Sequence, residues 1–181
     1  MKSILIARVS TEEQKELGNS LPAQLDRLRR YSNTKGFPIL NEFSFDESAY
    51  KENREGFDEI LDFVINQKEK VAVCFDKVDR LSRNVFDKRV SVLYEKAVSD
   101  NIELHFVSDN QVISSRISAT EKFQFGISLG LAKYYSDAIS DNVKRVFEQK
   151  IREGIWLAKA PYGYKNVDLD DDKKDIVISE Y

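Results

Sequence analysis

The chain has 181 residues, 41% of them apolar and 33% charged, with a formal net charge of −3. Those values describe a soluble globular protein with one substantial core and an appendage, and no apolar run is long enough to span a bilayer. Single copies of cysteine (Cys74) and histidine (His105) exclude an intrachain disulfide, a zinc ribbon and a histidine-based catalytic triad.

In chain order, Met1–Ala7 is too short for a signal peptide, so a cytoplasmic location with no membrane partner is expected. Residues 3–9 form a short apolar run that predicts a buried first strand. After a polar loop through Gly18-Asn19, Ser20 reads as a helix N-cap with Pro22 in the first turn. Leu21, Leu25 and Leu28 then recur at helical spacing until Gly36 and Pro38 stop the element. The scheme repeats with a strand over 39–45, a polar loop at Asp46-Glu47-Ser48, and a helix from about Asn53 carrying Phe57, Ile60, Leu61 and Val64 on one stripe. Val71–Phe75 is the third strand, with Cys74 as a buried core thiol. A helix from about Asn84 follows, with Phe86, Val90, Leu93 and Ala97 inward, and then a fourth strand over 102–107 that places His105 as a strand side chain. Alternation of strands and helices at these lengths predicts an α/β fold, a largely parallel central sheet with helices on both faces.

Residues 108–118 are polar and read as a mobile loop. From Ala119 to Glu153 no proline intervenes, apolar residues continue through Tyr135, Ile139, Val143, Val146, Phe147 and Ile151, and Gly154 makes a stop. A helix of that length spans roughly 50 Å, more than one small domain covers, so part of it needs a partner. Gly126 and Gly130 within it permit close approach of another backbone or simply fit the local core. Residues 156–164 read as an irregular linker, and Val167 and Leu169, the acidic turn 170–172 and Ile176–Ile178 form a candidate hairpin. The expected division is an α/β core over 1–118, a long helix over 119–153, and a linker with the start of a further domain over 154–181.

Charge is distributed unevenly. Lys144, Arg145, Lys150, Arg152, Lys159 and Lys165 face only Glu148 and Glu153, a local +4 that leaves −7 for the rest. This segment is the candidate DNA-binding footprint.

Two stretches carry candidate chemistry: Ala7-Arg8-Val9-Ser10-Thr11 and Asp79-Arg80-Leu81-Ser82-Arg83, each beside the end of an apolar run. Strand ends in open α/β sheets deliver side chains into a crevice. Three guanidiniums around a hydroxyl suit a serine nucleophile attacking a phosphodiester, because guanidinium is permanently charged and matches paired phosphate oxygens. Against this, arginines three apart on a helical turn more often serve surface ion pairs, and Ser10-Thr11 before Glu12-Glu13 serves equally as a helix cap.

Ala7-Arg8-Val9-Ser10-Thr11 with Gln14, then Ser20-Leu21 and Gln24, then Asn53-Arg54-Glu55-Gly56-Phe57, then Asp79-Arg80-Leu81-Ser82-Arg83 resembles the serine recombinase family of resolvases, invertases and phage-type integrases, over about residues 3–153. Pro161-Tyr162-Gly163-Tyr164 resembles the opening of the region after the catalytic domain in large members. The resemblance implies a site-specific DNA recombinase in which Ser10 forms a 5′-phosphoserine link and Arg8, Arg80 and Arg83 contact the scissile phosphate. Asp79 and Gln24 match supporting positions, and Arg54 matches a further basic one. It also implies double-stranded DNA attachment sites as substrate, self-association as dimer and tetramer, and no cofactor for the chemistry. A zinc site is expected only in a DNA-binding region beyond Tyr181, which this chain, read as a truncated piece, lacks. Two positions depart from the family pattern: Ile6 stands where an aromatic residue is common, and Asp141-Asn142 stands where a Glu-Arg pair is typical. The alternatives are a metal-independent phosphodiesterase or phosphatase, for which no Gly-rich phosphate loop is present, and a non-catalytic α/β signalling module, which calls for acids rather than arginines at the strand ends.

Overall fold

A computed structural model describes residues 1–9, 20–46, 55–82, 87–168 and 174–179. Ser10, Arg54 and Arg83 lie outside the described residues, as do Asn53, Asn84 and Phe86 of the expected helix starts. Two compact units divide the chain, Met1–Lys133 and Tyr134–Tyr181.

In the first unit, strands β1 (Lys2–Val9), β2 (Ile39–Asp46), β3 (Val71–Phe75), β4 (Ile102–Phe106) and β5 (Gln111–Ile113) form one sheet in the order β2-β1-β3-β4-β5. The first four strands are mutually parallel and β5 is antiparallel to β4. The helices are α1 (Leu21–Lys35), α2 (Glu55–Ile65), the short α3 (Val78–Leu81), α4 (Lys88–Val98) and the long α5 (Ala119–Arg152).

Local chemistry explains the element boundaries. Pro22 stands in the first turn of α1, and Gly36 ends the helix at φ 68°, a left-handed conformation that glycine adopts without Cβ strain. Asp87 caps α4 by accepting the Arg89 N–H at 3.0 Å. Ser118 and Glu121 form a reciprocal box before α5: the Ser118 N–H donates to Glu121 Oε2 at 2.8 Å, and the Glu121 N–H donates to Ser118 Oγ at 3.3 Å. Gly154, at φ 78°, donates to the Ile151 carbonyl and closes that helix.

Strand alternation sorts the core into two faces. Leu5, Cys74 and His105 stand in register across β1, β3 and β4, and Leu5 and Cys74 join Leu28 of α1 in one buried cluster. Burial pushes the Cys74 thiol up to about 12, so it is an inert core group. The larger cluster lies on the opposite face, where Ile4, Ile6, Val73, Phe75, Leu104 and Phe106 meet Ile60 and Val64 of α2, Val90 and Leu93 of α4, and Phe125 and Leu129 of α5. Phe106 stacks on both Phe75 and Phe125 at ring separations of 5.8 and 5.6 Å.

Three expectations need correction. The segment 108–118 is not all loop: Gln111–Ile113 pairs with β4, because Gln111 and Ile113 alternate inward and give Ile113 a fully buried place in the core. Gly126 and Gly130 fit no local core, since a Cβ at either would meet nothing within 4 Å. In the second unit, β6 (Tyr164–Asp168) and β7 (Lys174–Ile178) form the expected hairpin, so Tyr164 begins a strand rather than ending a linker.

Candidate active site

Strand order decides where the two arginine motifs meet. The chain leaves β1 toward β2 on one side and continues through β3 and β4 on the other, so a crevice opens at the carboxyl ends of β1 and β3. Ile6 pairs with Phe75, and Arg8 lies two residues beyond that level, beside the turn that leads from β3 into α3. The Arg8 guanidinium donates through Nη2 to the main-chain carbonyl of Asp79. Motifs 71 residues apart in sequence are thereby joined by one hydrogen bond.

Gln24 holds the main chain of Arg8 from the α1 side. Its Nε2 donates to the Arg8 carbonyl at 2.9 Å and its Oε1 accepts the Arg8 N–H at 3.2 Å, so a buried side-chain amide does for the end of β1 what a neighbouring strand would do. Arg80 lies on α3 with a side chain only 4% exposed, its Nη2 3.6 Å from Asp79 Oδ2. The surface ion-pair explanation for its spacing is therefore wrong: the flanking Val78 and Leu81 are buried in the core and carry Arg80 inward with them. Arg8 is also buried, at 7% exposure. Buried guanidiniums held in fixed positions can meet developing negative charge without reorganising.

A second polar group was not singled out from the sequence. Asp76 directly follows β3, is fully buried, and receives a bidentate pair from Arg27 of α1 at 2.9 and 2.7 Å, together with the Ser108 hydroxyl at 2.6 Å. Burial alone would raise the Asp76 carboxyl, but the hydrogen bonds from Arg27 and Ser108 outweigh it and hold the carboxyl below its ordinary value. The next residue after Ser108, Asp109, accepts the Val78 N–H through Oδ2 at 2.7 Å, at the start of α3. The signal for both was position: polar residues at the carboxyl ends of predicted strands.

The candidate DNA-contacting bases belong to the second unit. Lys144, Arg145, Lys150 and Arg152 are exposed on the last turns of α5, and Lys159 is exposed beyond it, where its carbonyl accepts the Trp156 indole N–H at 3.1 Å. Among the described residues no group of three His, Cys, Asp or Glu could hold a metal ion, and no helix is long and apolar enough to cross a membrane.

Comparison with known proteins bears on the family and the fold. Residues 3–156 match the profile described as "Resolvase, N terminal domain". Among solved structures, the N-terminal catalytic domain of TP901-1 integrase aligns with a TM-score of 0.53 at 22% identity, covering 76% of this chain and 98% of that one. A resolvase family site-specific recombinase from Streptococcus pneumoniae aligns with a TM-score of 0.49 at 23% identity, covering 84% and 99%. The C-terminal catalytic domain of ISC1926 TnpA, an IS607-like serine recombinase, aligns with a TM-score of 0.48 at 18% identity, covering 82% and 99%. No curated protein matches the chain in sequence. The family profile over residues 3–156 does not favour the hydrolytic and signalling alternatives. With four motif blocks in order, a parallel sheet that brings two of them together, and a family profile spanning most of its length, the chain belongs to the resolvase family of site-specific DNA recombinases, whose N-terminal domain it carries.

Proposed function

We propose that this recombinase cleaves and rejoins double-stranded DNA through a covalent 5′-phosphoserine intermediate at Ser10, with Arg8, Arg80 and Arg83 on the scissile phosphate. The observation that carries the reading is the Arg8 guanidinium reaching from β1 to the Asp79 carbonyl of α3, which joins the end of β1 to the second arginine motif. In the forward step the Ser10 hydroxyl gives up its proton and its oxygen bonds to phosphorus, while the phosphorus bond to the 3′ oxygen of the leaving strand breaks and that oxygen takes up a proton, so that protons and charge balance. In the reverse step a 3′ hydroxyl attacks the same phosphorus and the serine oxygen leaves, so the bond energy is conserved and no nucleotide cofactor is consumed. Asp79 and Gln24 support the site, Gln24 through the main chain of Arg8, and Arg54 is a further basic group.

The functional division we propose is a catalytic core over 1–118, an oligomerisation and DNA-proximal helix over 119–153, and a linker with the start of a DNA-binding domain over 154–181. Lys144, Arg145, Lys150, Arg152 and Lys159 supply a salt-sensitive attraction to the phosphate backbone, and self-association brings two or four copies to paired DNA sites.

The test is covalent attachment to duplex DNA carrying the cognate site. Ser10→Ala is expected to remove all adduct while leaving the fold intact. Arg80→Lys keeps the charge but loses the planar fork, and is expected to slow attachment about 100-fold. Undiminished adduct in the Ser10 variant would refute the nucleophile, and a full rate in the Arg80 variant would refute phosphate contact.

A further inference from the structure

Helix α3 has only four residues, Val78–Leu81, and a single helical turn cannot hold its own position by internal hydrogen bonds. Burial of Val78 and Leu81 sets how deep it sits, but leaves its first N–H groups without helical partners. One of those, the Val78 N–H, donates to Asp109 Oδ2 at 2.7 Å. Asp109 belongs to the turn between β4 and β5, where the Asn110 N–H donates to the Val107 carbonyl at 3.3 Å and Asn110 adopts φ 49°. That left-handed residue reverses the chain tightly. The same turn grips the residue two positions before Val78: the Ser108 N–H donates to the Asp76 carbonyl at 2.7 Å and the Ser108 hydroxyl to the Asp76 carboxylate at 2.6 Å. Asp76 is in turn fixed to α1 by Arg27.

We propose that Asp109 is a positioning residue for the recombination reaction: by accepting the Val78 N–H it fixes α3, and so sets where Arg80 meets the phosphate. The β4–β5 turn thereby acts on the chemistry without touching DNA. This rests on the reading of Arg80 as a phosphate-binding residue. Hydrogen bonds that hold a catalytic group from behind act through geometry, and a displacement of about 1 Å can cost about 100-fold in rate.

Asp109 is exposed, so its substitution leaves the core intact. Asp109→Ala removes the acceptor, whereas Asp109→Asn keeps a carbonyl oxygen there. In the alanine variant the Val78 amide is expected to exchange its hydrogen at least about tenfold faster, with the amides of Ile4–Ile6 and Val73 unchanged. Covalent attachment to site DNA at saturating protein should slow about 10- to 100-fold with DNA affinity unchanged, and the asparagine variant should recover both readouts to within about threefold. Wild-type behaviour of the alanine variant in either measurement would overturn the proposal, as would an asparagine variant as impaired as the alanine one. Adduct that forms regardless of Ser10 would overturn the nucleophile assignment alone, since the ratio of wild-type to Asp109→Ala rates still reports on Asp109. Absence of any adduct with wild-type protein would overturn the Ser10 reading and the catalytic half of this proposal, and the exchange contrast would still decide the tether.

Discussion

Burying a guanidinium costs several kcal/mol unless oppositely polarised groups surround it, and the fold buries both Arg8 and Arg80. The Asp79 carbonyl offsets part of that cost for Arg8, and the Asp79 carboxylate does so for Arg80. His105 illustrates the opposite solution, a titratable group kept neutral. Its Nδ1 lies 2.8 Å from the Tyr31 hydroxyl and its Nε2 3.1 Å from Glu103 Oε2. Because the hydrogen bonds from Lys70 help to hold Glu103 ionised against its burial, Glu103 accepts only, so the ring proton sits on Nε2 and Nδ1 accepts from Tyr31. Burial lowers the His105 pKa despite the nearby carboxylate. A neutral folded-state histidine contributes stability that is present above its unfolded pKa, about 6.5, and is lost as pH falls below it. The Tm is therefore expected to drop by roughly a few degrees between pH 7 and 5.5, and His105→Gln should flatten that slope. An equal slope in the variant would assign the effect to other groups.

Helix α5 is begun by a capping box and stopped by a glycine, yet only Phe125 and Leu129 along its 34 residues are buried. Ile139, Val143, Phe147 and Ile151 are exposed on its second half, four large apolar side chains at helical spacing. Such a stripe is stabilised by covering it, and a second copy offers a matching surface. Sedimentation at micromolar concentration is expected to show a dimer or larger species, and Ile139→Glu with Val143→Glu should shift it to monomer while leaving the first unit folded. A monomer in both forms would remove the helix from the oligomer interface.

For the molecule as a whole, transition-state charge in the proposed reaction is met by arginine rather than by a metal. Strand cleavage should accordingly persist at an unchanged rate in EDTA. Loss of cleavage restored specifically by magnesium would favour metal-assisted hydrolysis instead. Five exposed bases in the segment 144–159 predict binding that falls by orders of magnitude between 50 and 200 mM salt, to about the same degree for unrelated DNA sequences. A flat salt response would place the DNA-contacting charge elsewhere.

Most elements were legible in the sequence because each is dictated locally. Apolar runs of strand length marked β1, β3 and β4, the repeated strand–loop–helix order marked β2, Pro22 and Gly36 bounded α1, and an uninterrupted helical period ending at Gly154 marked α5. Helix α3 and strand β5 were not legible: four and three residues are too short for periodicity, and both are held by contacts with distant segments. The residue types of the site were legible too, since arginine beside serine suits phosphodiester chemistry wherever the chain places it. Spacing alone favoured a surface role for Arg80, and only packing reversed this, because Val78 and Leu81 enter the core on either side of it. Likewise, nothing in local composition joins Arg8 to Asp79, Asp76 to Arg27 or Asp109 to Val78. Those pairings follow from strand order, which is set by how the whole sheet buries its two faces.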